Sequence, residues 1–537
     1  MNSKNRYMPL ILALCVIVGI LIGTFYANHF SGNRLNVINS GSNKLSNLLH
    51  IIDDQYVDTV KINDLVESAI PQILAELDPH SVYIPAKDAE MASDDLKGSF
   101  YGIGIEFVIN NDTILVQNVI KGGPAQKAGV LAGDKIVKID GKTFVGKDCT
   151  SEEAMHRLKG PDKSTVTIAV KRYGSNEEKT LTITRGEVKM KSISATYMLD
   201  DKTGYIRIKN FGENTYAEML VALAQLSRDD FENLIIDLRD NTGGYLESAV
   251  QIANEFLPKD RLIVYTEGRK SARQDYKSDG RGSYQQMPLS VLINENSASA
   301  SEILAGAMQD NDRATIVGRR SFGKGLVQQQ IAFPDGSMVR LTIARYYTPS
   351  GRCIQKPYSF GDTKDYEKDI IDRYQHGEFF SKDSIKHEGP AYHTISGRTV
   401  YGGGGITPDI FIAEDTTNVT SYYRAASMTG LIMQFALTYT DENRLKLNSF
   451  REMQDLADYL VKQNMVEQFA IYADKHDLQR RNLMIQRSHN LLERNINSRI
   501  IYNMLDEQAW IQYLNLADQT IKAALDVFYN PKTSSKK

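Results

Sequence analysis

Apolar positions near the N-terminus form one uninterrupted run. Residues 7–33 contain no Asp, Glu, Lys or Arg, and the centre of this stretch, 8–27, is 20 residues long. As a helix, that length crosses the ~30 Å hydrocarbon core of a bilayer. A cleaved signal peptide is the alternative, but its apolar region usually spans only ~7–15 residues. We therefore expect an uncleaved anchor at 1–30, single-pass in the inner cell membrane, with Lys4 and Arg6 in the cytoplasm and the rest of the chain extracytoplasmic, in the periplasm.

The pattern on either side of the central part of the chain has the period of an α-helix. From Lys44 to about Met91, apolar residues recur at three- and four-residue intervals, interrupted by turn residues at 77–81. His80, in that turn, is interpreted as packing or capping locally rather than as a catalytic base. From about Thr417 onward, further stripes predict helices whose apolar faces serve as a packing or a dimer surface. The two helical regions are placed at 31–97 and 414–537.

Short alternating strands, separated by turn signals, mark the region 98–186. The strand Ile105-Glu106-Phe107-Val108 follows the glycine-containing loop Tyr101-Gly102-Ile103-Gly104. The segment 123–129 has proline in the first turn of a short helix and glycine after its end. Asp140-Gly141 is a tight hairpin signal. Further strands are expected at 114–116, 136–139, 166–172 and 180–184.

Buried strands alternate with helices in the region 187–413. Asn233 to Leu238 is a nearly continuous apolar run, typical of a strand covered on both faces, and Leu246 to Leu257 has a helical apolar face. Strands at 262–266 and 289–293 follow, and then a helix from about Ser299 to Gln309. This alternation predicts βα crossover layers. The fold class is therefore α/β within an α+β multidomain chain.

A serine at a strand-to-helix corner and a lysine between glycines suggest a nucleophile and its base. Ser299 follows the strand at 289–293, and Lys324 stands 25 residues later, between Gly323 and Gly325. A serine hydroxyl becomes a nucleophile when a base takes its proton, and a lysine can do so only when neutral. Lys324 must therefore be buried, with its pKa lowered from ~10.4 toward ~7–8. An N-cap serine cluster and a surface lysine in a glycine turn are the ordinary alternatives.

Two backbone segments could supply the N–H donors for a tetrahedral oxyanion. The Ala300 N–H lies at the start of the helix after Ser299, where the helix dipole favours negative charge. Gly243-Gly244, after the strand at 233–238, is the second candidate, although a plain strand-to-helix turn explains these glycines more simply when they are taken alone. The case for catalysis therefore depends on the occurrence of all three sites in the right order.

These motifs resemble those of the carboxyl-terminal processing peptidases, also called tail-specific proteases, over about residues 40 to 412. The matching segments are 237–244, 296–302, 321–328, 344–352 and 404–409. The resemblance implies Ser299 as nucleophile, Lys324 as general base and Gln328 as the partner that orients the lysine. If 324–328 were fully extended, the Cα atoms of Lys324 and Gln328 would be ~13 Å apart, so the chain must bend there. Thr242 replaces the proline of the family's N-P-G-G, which leaves both glycines in place.

The β-rich region resembles a PDZ domain through its glycine-containing loop, its G-x-P-A-x-x-A-G helix and its G-D-x-I-x-x-I-D-G hairpin. In such modules the loop's backbone N–H groups capture a terminal carboxylate, and the peptide adds a strand to the sheet edge. The resemblance implies peptide-tail binding at Tyr101, Gly102, Ile103 and Gly104. The charged, aromatic segment between Ile354 and Thr399 departs from the compact family pattern and is either a lid or, more simply, a surface insertion.

The amino-acid composition argues against nucleic-acid binding and against a metal or cofactor site. With 63 basic and 66 acidic residues, the net charge of −3 gives no electrostatic footprint for nucleic acid. Three cysteines and nine histidines are scattered without metal-ligand spacing, so neither a metal nor a cofactor is expected.

We therefore predict a membrane-anchored, extracytoplasmic serine endopeptidase that acts on proteins with free, apolar C-termini. Homo-oligomerisation through the helical regions is considered as well. The alternative is a catalytically idle PDZ scaffold or adaptor on a vestigial peptidase fold, against which the intact set Ser299, Lys324 and Gln328 argues.

Overall fold

The computed structural model describes residues 13–14, 16–20, 41–110, 112–147, 149–172, 174–175, 177–387 and 389–530. The chain divides into two compact units, 1–74 and 75–537. Mixed helix and sheet make up the second unit, as the predicted α/β multidomain class requires.

The predicted membrane anchor at 8–27 falls mainly outside the described residues, within which 13–14 and 16–20 are helical. In the part of the chain that the structure describes, no helix is both long and apolar enough to cross a bilayer. This finding overturns the prediction of a single-pass location in the inner membrane with a periplasmic catalytic part. The sequence argument took the length of an uncharged run as sufficient, whereas crossing requires one continuous apolar helix of that length.

Helices dominate the chain before the β-rich region, as the apolar period predicts. Helix α1 spans Gly41–Gln55 and α2 spans Ile62–Ala75. After the turn that contains His80 come the short strand β1, Val82–Ile84, and helix α3, Ala86–Lys97. The helical pattern did not indicate β1.

The described part of the β-rich region contains eight strands and two short helices. They are β2 Ser99–Gly102, β3 Ile105–Asn110, β4 Thr113–Val119, α4 Pro124–Ala128, β5 Lys135–Ile139, β6 Lys142–Thr143, α5 Ser151–Leu158, β7 Thr165–Lys171, β8 Glu178–Thr184 and β9 Gly186–Lys189. The main sheet has the order β3-β4-β5-β7-β8, with β6 paired to β5, and β2 and β9 form a separate pair. Buried side chains such as Ile114, Val116, Ile136 and Ile168 form its core. Strand β3, which follows the glycine loop, is an edge strand of this sheet.

The described residues of the central region form two main sheets and a small two-stranded sheet, with three helices packed on one of the main sheets. Its elements are β10 Ile193–Met198, β11 Thr203–Ile208, α6 Thr215–Leu226, β12 Asn233–Asp237, α7 Leu246–Phe256, β13 Leu262–Glu267, β14 Gln274–Lys277, β15 Leu289–Ile293, α8 Ala300–Asp310, β16 Thr315–Gly318, β17 Leu326–Ala332, β18 Met338–Tyr347, α9 Thr363–Gln375, β19 Ala391–His393, β20 Thr399–Tyr401 and β21 Ile410–Phe411.

The larger central sheet has the order β10-β11-β12-β15-β16-β21, and its pairs are parallel from β11 to β21. Every residue of β12 is buried, because both faces of the sheet are covered. Ile236 packs toward the core that α6, α7 and α8 share, whereas Ile235 packs toward the C-terminal helices. The nearly continuous apolar run at 233–238 reflects this double burial.

Strand β13 differs from the predicted layering. It lies in a second sheet of order β1-β18-β13-β14, to which β17 adds through β18, and its pairs with β14 and β18 are antiparallel. The place beside β12 in the larger sheet is taken by β15. The order of the strands along the chain therefore did not predict their order within the sheets.

The C-terminal region folds as a helical bundle with a core that includes Phe469, Ile496 and Ile500. Its last helix packs Ile521 and Ala524 against the larger sheet. The predicted stripes are thus packing surfaces within this chain. The helices are α10 Ser421–Met428, α11 Leu431–Glu442, α12 Arg444–Leu447, α13 Met453–Val461, α14 Met465–Asp474, α15 Asn482–Arg487, α16 His489–Met504, α17 Glu507–Asn515 and α18 Gln519–Tyr529.

We expect Phe469→Ala to destabilise this bundle by ~3–5 kcal/mol, because it opens a cavity where a fully buried ring packs. The chain has one tryptophan, Trp510, in α17, so its fluorescence during chemical denaturation reports on the same region. Leu445→Ala is the matched control, since Leu445 is 95% exposed, and should change stability by less than about 0.5 kcal/mol. Equal unfolding midpoints for the two variants would show that the bundle core is not packed as described.

Candidate active site

Ser299 lies at the corner between β15 and α8, as the sequence predicts. Its backbone has φ +55° and ψ −114°, a conformation that non-glycine residues rarely adopt. The neighbouring Ala298 N–H donates to Asn241 O at 3.0 Å, and the Ser299 N–H donates to Glu302 Oε2 at 2.9 Å. These bonds hold the strained corner and leave the Ser299 side chain half-buried.

The two neighbouring serines have structural hydrogen bonds and are buried. Ser297 Oγ donates to Leu238 O at 2.8 Å, and Ser301 Oγ donates to Asn241 O at 2.9 Å. Both join the corner to the segment after β12. Ser299 differs from these two serines because it is only half-buried, whereas they are fully buried.

Lys324 and Gln328 meet as a pair. Lys324 Nζ donates to Gln328 Oε1 at 3.1 Å. The pairing of β17 with β18 has a register shift between Val327 and Gln328, which supplies the bend that an extended chain would lack.

Burial lowers the pKa of Lys324, and the positive charge of Arg340 lowers it further. The carboxylates of Glu302 and Asp78 act in the opposite direction. The sequence argument expected burial to lower the pKa of Lys324 and did not identify the arginine. A lowered pKa increases the fraction of neutral lysine near neutral pH, which is the form that can accept a proton.

Glu302 and Tyr346 are two residues whose roles the sequence analysis missed. The Glu302 carboxylate accepts from Ser299 N and Lys324 N, each at 2.9 Å, and from Ser321 Oγ and Gly323 N. The Tyr346 hydroxyl donates to Ser299 O at 3.1 Å and also to Lys324 O. Ser299 and Lys324 are therefore joined through both a shared acceptor and a shared donor.

One sequence signal could have identified Glu302. It stands three residues after Ser299, the position at which a glutamate binds back to the N-cap backbone of a helix. Burial raises the pKa of Glu302 to about 7, while its four hydrogen bonds oppose that rise. No sequence signal marks Tyr346. Its hydrogen bonds to the backbone of Ser299 and Lys324 depend on the position of β18 in the folded protein.

The predicted oxyanion-hole residues lie together, but they are not equivalent. Gly243 has φ +105° and approaches so closely that a Cβ there would be 2.7 Å from Ser299 Cβ. Its N–H donates to Asn241 Oδ1 at 2.8 Å. Among the hydrogen bonds of the described residues, none uses the N–H of Gly244 or of Ala300. These two groups are thus the available donors, and Gly243 provides the close approach.

The Gly243-Gly244 loop is anchored even though Thr242 replaces the family's proline. Besides accepting from Gly243, the buried Asn241 side chain donates from Nδ2 to Ile208 O at 2.9 Å. Gly244 passes so close to Phe211 that a Cβ would be 2.1 Å from its carbonyl oxygen. The loop therefore has a defined position without proline.

The predicted tail-binding loop lies at the head of edge strand β3. The carbonyl oxygens of Ile103 and Gly104 accept from Ala125 N and Ile120 N. No acceptor within the described residues is hydrogen-bonded to the N–H of Ile103 or of Gly104. Gly104 has φ +77°, and the Tyr101 side chain is exposed. This arrangement presents two N–H groups beside an unpaired strand edge.

Asp88, Glu152 and His156 are the only group among the described residues with spacing suited to a metal ion. Lys87 Nζ lies 3.9 Å from a carboxylate oxygen of both Asp88 and Glu152, so a cation is already present there. None of the predicted site residues belongs to this group.

Comparison with known proteins identifies three segments. Peptidase family S41 matches residues 202–368, the PDZ domain family matches 102–184, and a family of unknown function matches 422–506. The carboxy-terminal-processing protease of Bartonella bacilliformis is 40% identical over 319 residues, which cover 58% of this chain and 72% of that protein. The carboxy-terminal processing protease CtpB of Bacillus subtilis is 35% identical over 318 residues, covering 58% and 65%.

Among solved structures, a photosystem II D1 C-terminal processing protease is 30% identical, with a TM-score of 0.33, over 57% of this chain and 88% of that chain.

We expect Glu302→Gln to lower kcat at least about tenfold. In the native protein, backbone N–H groups donate to the Glu302 carboxylate. In the variant, some of them would face the NH2 group of the amide, which cannot accept a hydrogen bond. Rates of peptide hydrolysis measured at saturating substrate test this. Glu232→Gln is the control, since Glu232 is exposed and pairs with the surface residue Lys202. Full activity in the Glu302→Gln protein would mean that the shared carboxylate does not set the geometry of Ser299 and Lys324.

Proposed function

The chain belongs to the carboxy-terminal processing proteases of peptidase family S41 and is a serine-type peptidase with a PDZ domain, and we propose that it is an endopeptidase that uses Ser299, Lys324 and Gln328 and recognises substrates by their C-terminal tails. The single observation that carries the mechanism is the convergence of Ser299 N and Lys324 N on one oxygen of Glu302.

In the proposed first step, neutral Lys324 takes the proton of the Ser299 hydroxyl, and Oγ attacks the carbonyl carbon of the scissile peptide bond. The resulting oxyanion accepts hydrogen bonds from the N–H groups of Ala300 and Gly244, with Gly243 allowing the close approach. The Lys324 ammonium then gives its proton to the departing amine.

The second step removes the acyl group from Ser299. Lys324, neutral again, takes a proton from water, and the resulting hydroxide attacks the ester carbonyl. When the tetrahedral intermediate collapses, the proton returns to Ser299 and the acid product leaves. Gln328 holds the lysine nitrogen in place through both steps, since its Oε1 accepts from Nζ.

We propose that the substrate tail binds at Tyr101, Gly102, Ile103 and Gly104. The free N–H groups of Ile103 and Gly104 suit a terminal carboxylate, and the edge of β3 that pairs with no other described strand suits an added strand. Partly buried side chains of β3, Ile105 and Phe107, pack on the domain core beside that edge and favour an apolar terminal residue.

No observation favours the idle-scaffold alternative, and the proposed nucleophile, lysine and glutamine are all present, with Lys324 Nζ bonded to Gln328 Oε1. We keep the predicted regions 31–97, 98–186, 187–413 and 414–537 as proposed domain boundaries. Assembly of the chain into oligomers through its helical regions stays a prediction.

We expect Ser299→Ala to abolish hydrolysis while leaving folding and tail binding unchanged. Ser297→Ala and Ser301→Ala are matched controls from the same cluster, because both keep the nucleophile. Ser297→Ala removes the bonds of Oγ with Leu238 O and Asn294 N, Ser301→Ala removes the bond with Asn241 O, and each lost bond costs ~1 kcal/mol of stability. Fragment mapping by mass spectrometry, with a model protein that has an apolar C-terminus, measures cleavage. Continued cleavage by the Ser299→Ala protein, with loss of activity in either control, would refute the assignment.

Amidating a substrate's C-terminus should weaken its binding and its cleavage, because the amide lacks the charge and one acceptor oxygen of the carboxylate. The test compares acid and amide forms of one peptide, with the intact protein and with a protein lacking 98–186. Cleavage should occur at internal bonds upstream of the tail. Equal handling of both peptides by the intact protein would reject tail recognition and leave the peptidase function standing.

A further inference from the structure

The segment that follows β18 holds the loop that carries Lys324, which we call the base loop, residues 321–325. Gly323 O accepts from Lys356 N at 2.9 Å, and Gly325 N donates to Gln355 Oε1 at 2.8 Å. Arg373, in α9, donates from Nη1 to Ser321 O at 3.0 Å. The base loop is thus bound by Glu302 on one side and by residues 355–373 on the other.

Tyr366 of α9 contacts both the base loop and the turn that contains His80. Its side chain is buried, and its hydroxyl lies 2.8 Å from His80 Nε2. The ring meets the His80 ring edge to face at 5.2 Å between centroids, and it meets the Phe322 ring at 5.9 Å. Lys356 Nζ lies 4.1 Å from the centre of the Tyr366 ring. Both the ring and the hydroxyl therefore have defined partners.

His80 in turn fixes the amide of Gln328. Gln328 Nε2 donates to the backbone oxygen of His80, while Gln328 Oε1 accepts from Lys324 Nζ. Only one orientation of a side-chain amide lets its NH2 group donate to a carbonyl while its oxygen accepts from an amine. The position of the His80 backbone therefore determines which end of Gln328 faces the lysine.

His80 itself is unsuited to act as the base. Burial and the nearby positive charge of Lys324 lower its pKa to about 4, so its imidazole is neutral at working pH. Its observed contacts instead place it between Tyr366 and Gln328.

We propose that Tyr366, in α9 of the 355–398 segment, is a positioning residue for Gln328 and Lys324 and acts through His80. The proposal rests on the proposed function of Lys324 as base. It gives the 355–398 segment a role in catalysis that a surface insertion or a simple lid would not have.

The decisive variant is Tyr366→Phe, which keeps the ring against Phe322 and Lys356 and removes only the hydroxyl. We expect kcat to fall about tenfold with KM unchanged, the loss expected when a hydrogen bond that orients the base is removed. Tyr374→Phe, in the same helix but 43% exposed, is the control and should retain full activity.

A second measurement follows Lys324 without requiring catalysis. In a Ser299→Ala background, the rate at which an amine-selective aryl fluoride labels Lys324 is measured against pH by peptide mapping. The charged groups that act on this amine are Arg340 of β18, Glu302 of α8 and Asp78 beside His80. With Tyr366→Phe, we expect the labelling midpoint to move toward that of a free lysine, because a loosened site admits water.

A double-variant cycle then tests the route through His80. His80→Ala keeps the backbone oxygen but removes the imidazole, so adding Tyr366→Phe to it should cost no further activity. Unchanged kcat and an unchanged labelling midpoint in the Tyr366→Phe protein would overturn the proposal. Because labelling is independent of turnover, a shifted midpoint supports positioning by Tyr366 even if Lys324→Arg proves active and the proposed base is wrong.

Discussion

The Glu302 carboxylate is the group on which the geometry of the site depends. It is fully buried, where an ionised carboxyl is unstable unless hydrogen bonds replace its lost hydration. Here four donors replace part of it, since burial still raises the pKa of Glu302 to about 7, and two of the donors are the backbone nitrogens of Ser299 and Lys324. Since each of those residues follows a different strand, the carboxylate converts two independent loops into one rigid arrangement.

The larger sheet provides the frame for this arrangement. Strands β12 and β15 are buried on both faces, so the segments that follow them, Asn241 to Gly244 and Asn294 to Ser299, start from fixed points at the same sheet edge. The second sheet contributes Gln328 from β17 and Tyr346 from β18, and Lys324 lies in the loop that joins β16 of the larger sheet to β17. The C-terminal helices cover the far face and thereby complete the burial that fixes the strands.

Features that depend on local sequence were predictable. The apolar run at 233–238, the serine at the start of α8 and the glycine loop before β3 each have a period or a motif that indicates structure by itself. Features that depend on distant contacts were not. The pairing of β13 with β18, the donors to Glu302 from the loop at 321–324 and the contact of Tyr366 with His80 join residues from separate elements, and no local pattern encodes them. The membrane location was predicted from an uncharged run, and such a run describes composition alone.

The most direct test of the Ser299–Lys324 mechanism is the pH dependence of kcat/KM for a peptide with a free C-terminus. Because the folded structure lowers the pKa of Lys324, activity should rise as pH increases through an apparent pKa well below the ~10.4 of a free lysine. Lys324→Arg should be inactive at every pH, since a guanidinium does not give up its proton, and Gln328→Ala should lose less activity than Lys324→Ala. Appreciable turnover by the Lys324→Arg protein, with the same pH midpoint as the unmodified protein, would contradict lysine as the base.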